Sequence, residues 1–315
     1  MANSATQSAP ASPEVAELRA LEAKIDAMLP PQYQHCATVR TSSMGSAALK
    51  YGRDGKVAWD EIWTSFCDLA VAGGPPHRGK WLAPVSVEEA RSNPEQYQQV
   101  VEEIARGIWM VNQTPVLPRL APGWVGVVCQ NEAMAAWLLR AVIAENVCAR
   151  RERHILHVPA GPHFQLAKEI KNVVTVMAKT CHYWSCHMDA DQQAMESAWP
   201  ALGPALPTEI AAEPTAYQAV IDAIGAEVET GAELAVERDA YPGWVGVHCT
   251  DVDAAVWLLR AVLIRNVLAR REENMLYLPA HPAFHQTDRS QAVVTALADA
   301  VRLRRVQLTN TRRSR

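Results

Sequence analysis

Four residues near the middle of the chain, Cys181, His182, Cys186 and His187, are of the types that hold a transition metal. On a helix His182 and Cys186 are i, i+4 and share a face, and a thiolate beside an imidazole would suit zinc, copper or iron. Their spacing matches no standard zinc motif and not the Cys-x-x-Cys-His of haem attachment. The plain alternative is a helix end with partly buried thiols and hydrogen-bonded imidazoles. A second group, His154, His157 and His163, surrounds a short apolar run. On a strand His154 and His157 would point to opposite faces, so His154 and His163 are the candidates for binding a ligand there.

A third group lies earlier, in Gly73-Gly-Pro-Pro-His77-Arg78-Gly79-Lys80. His77 could move a proton as a general base, while Arg78 and Lys80 could hold an anion. Cys67, ten residues upstream of His77, is a candidate nucleophile. Arg140 stands inside an apolar run, so its guanidinium must meet a carboxylate, carbonyl groups or a bound anion. Cys129 and Cys249 fall where strands meet helix N-termini; exposed they would be activated thiols, buried they are small core residues.

The elements that position these groups are written twice. Pro122-Gly-Trp-Val-Gly-Val recurs as Pro242-Gly-Trp-Val-Gly-Val, and Trp137-Leu-Leu-Arg-Ala-Val as Trp257-Leu-Leu-Arg-Ala-Val, always 120 residues apart. Asn146 and Arg150-Arg151 recur as Asn266 and Arg270-Arg271 at the same offset. The Cys/His group at 181–187 and the histidines at 154 and 163 do not recur. Asn274, Ala283, Val301, Arg302, Val306 and Gln307 stand opposite His154, His163, Cys181, His182, Cys186 and His187, so a site in the first copy only is expected.

Apolar periodicity predicts in each copy a helix (97–111 and 217–228), a short strand (124–129 in the first copy), a helix over 132–150, a strand over 155–158 and a last helix (166–184 and 289–304). A strand, helix and strand of these lengths read as a parallel βαβ unit. The fold class is therefore α/β, an internally duplicated pair of α-β-α-β-α modules with pseudo-twofold symmetry, sharing a sheet or packed face to face and borrowing strands from an α+β N-terminal segment. The expected domains are a disordered lead-in (1–14), a segment of helix, hairpin and helix (15–93), module one (94–188), a Pro/Ala-rich linker (189–213), module two (214–305) and a basic tail (306–315). Gly52-Arg-Asp-Gly55 predicts the hairpin, since Asp-Gly supplies a positive φ. The arginines of 302–315 are read as a solvated end.

Composition narrows the function class. With 315 residues, 49% hydrophobic and 20% charged, the chain can bury substantial cores, and a net charge of −4 argues against whole-surface attraction to nucleic acid. Seven cysteines at irregular spacing suggest reduced thiols in a cytoplasmic protein. The N-terminus lacks the pattern of a signal or transit peptide, and the best apolar run is too short to span a bilayer, so no membrane role is expected. The leading expectation is a protein binding a small anionic or metal-containing ligand or cofactor in module one, near the His77 loop. The alternatives are an enzyme using a His base or Cys nucleophile there, and a structural or assembly subunit whose ten tryptophans fill cores and a protein-partner interface.

Overall fold

The computed structural model describes residues 12–29, 34, 48–62, 69–195, 202–285 and 287–313. Over these residues the protein mixes helices with two four-stranded antiparallel sheets. Helix α1, Pro13–Met28, starts at a proline and buries Leu18, Leu21, Ile25 and Met28 along one face. The expected hairpin follows: Tyr51 bridges Val57, and Gly55 takes φ +73° at the turn. A single 3₁₀ turn runs from Trp59 to Glu61, and another from Ala70 to Ala72 is closed by Gly73 at φ 97°. The helix expected from Trp59 onward runs through 63–68, and that part of it lies outside the described residues.

The chain continues with α2, Val87–Ser92, and α3, Pro94–Asn112, each capped by a side chain at its first turn. Strands β1, Val116–Ala121, and β2, Trp124–Val128, form a hairpin around Pro122-Gly123. Gly123 has φ +85°, and a Cβ there would lie 2.8 Å from Val85 O, which accounts for the repeated Pro-Gly. Helix α4, Glu132–Ala144, is N-capped by Asn131 as expected, and is followed by β3, Arg150–Glu152, and β4, Ile155–Pro159. A π turn, Leu166–Ile170, leads into α5, Lys171–Cys186.

Three expectations are corrected here. β2 pairs with β4 antiparallel, with Trp124 opposite Pro159 and Val128 opposite Ile155, so no parallel βαβ unit forms. The cause lies after α4. The helix stops at Ala144 rather than Arg150, Asn146 takes the left-handed conformation at φ 63°, and Val147 pairs in parallel with Leu82. The chain then runs through β3 and reverses at Arg153-His154, so β4 returns beside β2 in the opposite sense. Arg150 and Arg151 are strand residues, not a helix end. The sheet order β1-β2-β4-β3 is built wholly from residues 116–159, so neither a shared sheet nor a strand borrowed from the N-terminal segment is found among the described residues.

The short helix α6, Ala190–Met195, follows α5. The second half of the chain then shows α7, Pro207–Ala212; α8, Pro214–Glu227; β5, Val236–Tyr241; β6, Trp244–His248; α9, Val252–Leu263; β7, Arg270–Glu272; β8, Met275–Pro279; and α10, Arg289–Arg313. Its sheet has the order β5-β6-β8-β7, with Trp244 opposite Pro279. Val125, Val127, Leu156 and Val158 in one sheet, and Val245, Val247, Leu276 and Leu278 in the other, alternate inward and are fully buried. Arg302 pairs with Glu17 and Arg305 with Glu233 in solvent-exposed ion pairs at the surface of α10.

Candidate functional site

Segment 69–82 enters between the two halves, and a buried carboxylate receives it. Glu145, just past the end of α4, is fully buried. Its Oε1 accepts from Ala70 N at 2.8 Å and lies 3.0 Å from Lys179 Nζ, while its Oε2 accepts from His77 N at 2.6 Å. Asn146 donates to Arg78 O and Arg271 O, and accepts from Arg270 Nη1. From the second half, Arg260 Nε donates to Val71 O at 2.9 Å and Arg271 Nη2 donates to Gly74 O. Trp81 stacks edge-on against Trp244, and the Arg270 guanidinium lies among Trp81, Tyr241, Trp244 and Tyr277, 3.9 Å from the Tyr277 ring centre.

These contacts assign the glycine-rich loop a structural part. The His77 ring is partly buried, with Nε2 at 3.1 Å from Asn172 Oδ1, and desolvation draws its pKa down to about 4. Arg78 Nε donates to Lys80 O, and Lys80 is exposed. Cys67 lies outside the described residues. Arg140 is buried within α4 and Arg260 within α9.

The Cys/His group does not gather. Cys181 is buried and Cys186 exposed. Only His182 and His187 meet, Nε2 to Nε2 at 3.2 Å, which is two donors where a structural zinc site takes four. Among the described residues no three His, Cys, Asp or Glu groups are placed to hold a metal ion. Burial pushes the Cys129 and Cys249 thiols up to about 12, which matches core residues and not nucleophiles. His154 is exposed at the β3–β4 turn, and His157 packs edge-on against Trp124.

His163 has a different setting. It lines an open groove of about 600 Å³ between the 51–57 hairpin, the first half of α3 and the 162–170 turn. That volume lies within the ~300–1,000 Å³ usual for small-molecule sites. Buried Val57, Val100, Phe164 and Ile170 line it, with Tyr51, Lys56, Gln96, Gln99, Glu103 and Gln165. Glu103 accepts from Trp59 Nε1 at 2.8 Å and pairs with Arg106, and His163 Nδ1 lies 2.9 Å from Glu89 Oε1.

Apart from His163, the sequence expectations had missed this lining. The available signal was a polar stripe at i, i+3 and i+7, Gln96, Gln99 and Glu103, which becomes Ala216, Ala219 and Ala223 at 120 residues' distance. His163 becomes Ala283, while Val100, Pro162 and Phe164 recur as Val220, Pro282 and Phe284. Comparison with protein-family models, with curated proteins and with solved structures finds no match. Among the described residues no helix is long and apolar enough to cross a membrane.

Proposed function

We propose that the chain is a tandem pair of α/β modules related by pseudo-twofold symmetry, of which only the first binds a small ligand, in the groove beside His163. The pairing is supported by conformation as well as residue identity. Every non-glycine residue with positive φ among those described has a counterpart 120 residues away: Gln113 with Glu233, Asn146 with Asn266, Arg153 with Glu273. Leu82 and Leu202 make matching parallel bridges to Val147 and Val267. The repeating unit on this reading begins near residue 82.

One observation carries the binding reading: four polar groups of the groove, Gln96, Gln99, Glu103 and His163, stand opposite alanines in module two, where Val100, Pro162 and Phe164 are kept while Gln165 and Ile170 become His285 and Ser290. A fold that accepts alanine at 216, 219, 223 and 283 does not need Gln, Gln, Glu and His at their counterparts. In module two the Pro282–Phe284 turn packs against α8 instead. The His77 loop, tied down by Glu145 and the module-two arginines, is the scaffold beneath the site on this reading.

The test compares wild-type protein, purified without a His-tag, with a Gln96→Ala, Gln99→Ala, His163→Ala variant. Extracted small molecules are measured by mass spectrometry, and zinc, copper and iron by elemental analysis. The expected result is a compound near one per chain in the wild type, lost from the variant at an unchanged melting temperature. An identical small-molecule content in both proteins refutes the reading. A stoichiometric metal lost only on His182→Ala would move the site to the end of α5.

A further inference from the structure

Resting on the groove as the binding site, we propose that its ligand is a flat aromatic compound bearing one anionic group, a phosphate monoester or a carboxylate. The body of the ligand follows from the lining. Val57, Val100, Phe164 and Ile170 form the groove's apolar floor but are themselves buried, so the apolar surface left for a flat ligand to cover is chiefly that of Tyr51. Tyr51 is 59% exposed and lines the same groove, fixed there by its bridge to Val57 and by the bond from Gly52 N to Lys56 O. An exposed tyrosine held on a short hairpin offers a stacking face at little further cost in entropy.

The anion follows from charge. Lys56, on the same hairpin, brings a cation to the lining, while His163 Nδ1 already lies 2.9 Å from Glu89 Oε1 and leaves Nε2 as its remaining polar atom. The acidic group that lines the groove, Glu103, is already engaged by Arg106 and Trp59. Glu169, on the adjoining turn, accepts from Gln165 N. Gln96 lies in the first turn of α3, and Leu166 opens the π turn that leads into α5, so two helix N-terminal ends border the groove. The dipoles of these ends favour negative charge, although Asn93 Oδ1 and Glu169 Oε2 already accept N–H groups there. The Gln96 and Gln99 amides supply further donors, and the groove has room for a bicyclic ring with one substituent.

Equilibrium dialysis with 1-naphthyl phosphate, 1-naphthoate, 1-naphthol and 1-naphthylmethylammonium tests this on the full chain. At least one of the two anions should bind at one per chain, ten-fold or more tighter than naphthol or the ammonium compound, and the stronger of the two identifies the anion. Binding should weaken about ten-fold in Lys56→Glu and in Tyr51→Ala, both on an exposed hairpin. Inorganic phosphate alone should not compete at equal concentration. Naphthol or the ammonium compound binding as well as the anions overturns the proposal, as does unchanged binding in Lys56→Glu. If neither anion binds while a copurifying compound is still lost from the Gln96, Gln99 and His163 variant, the ligand class is wrong and the groove stands. If the naphthyl anions bind equally to that triple variant, the groove itself fails.

Discussion

His77 is held with its backbone N–H on a buried carboxylate and its ring against Asn172, and burial draws its pKa from 6.5 to about 4. It is neutral in the folded protein at pH 7. The unfolded chain takes up this proton near pH 6.5 and the folded chain only near pH 4, so in that window U binds more protons. Stability from this group is complete above about pH 6.5 and falls with pH, by up to about 1.4 kcal/mol per unit, until about pH 4. Urea unfolding at pH 7, 5.5 and 4.5 should show this slope in the wild type and a shallower one in His77→Gln; equal slopes exclude the assignment.

Asn146 explains itself at the same scale. It recurs as Asn266 because both residues take positive φ, a conformation asparagine tolerates better than most, and in module one its amide also bridges Arg78, Arg270 and Arg271. Asn146→Gly should destabilise through the lost hydrogen bonds, and Asn146→Ala by roughly 1–2 kcal/mol more through backbone strain. Chemical denaturation of the two variants separates these contributions. Alanine matching glycine would show that the φ value is not the constraint.

Among the elements, α4, α5 and segment 69–82 meet at the Glu145–Lys179 pair. Both side chains are buried, and Glu145 is further satisfied by two backbone N–H groups. At the positions 120 residues on stand Arg265 and Asp299, opposite in sign to Glu145 and Lys179, and there Asp299 lies 3.6 Å from Arg302. Lys179→Met leaves a buried carboxylate without its counter-charge and should cost roughly 3–5 kcal/mol. Glu145→Gln with Lys179→Met removes both charges and should recover a large part of that loss. A double-mutant cycle measures it, and additive losses would show that the pair is not coupled.

Taken whole, the molecule is expected to unfold as one unit although it contains two sheets. Segment 69–82 is bonded to Glu145 in one half and to Arg260 and Arg271 in the other, and Arg270 reaches from β7 to Asn146. Few contacts of this kind would leave the halves free to open separately; here they are buried and charged. Hydrogen exchange at β2 and β6 should therefore report the same opening free energy, and Arg271→Ala should lower both. Two exchange regimes, with only β6 affected, would separate the modules.

The repeat, the positions of most helices and the Pro-Gly turns were legible in the chain because each rests on local chemistry: apolar spacing, capping side chains, residues tolerant of positive φ. Strand direction was not. Ala149-Arg-Arg-Glu152 carries charges that suit a helix end as well as a strand, and only the pairing of Val147 with Leu82 and the reversal at Arg153 decide between them. The candidate site divides the same way. His163 was singled out because its partner position is alanine, and the same comparison could have shown Gln96, Gln99 and Glu103. That His77 is tied into the scaffold, that Cys181 and Cys186 part company, and that Tyr51 and Lys56 border the groove depend on contacts between residues far apart in the chain. Spacing along a sequence reports which side chains share a face of one element; which elements meet is decided by packing and by where buried charge finds its partner.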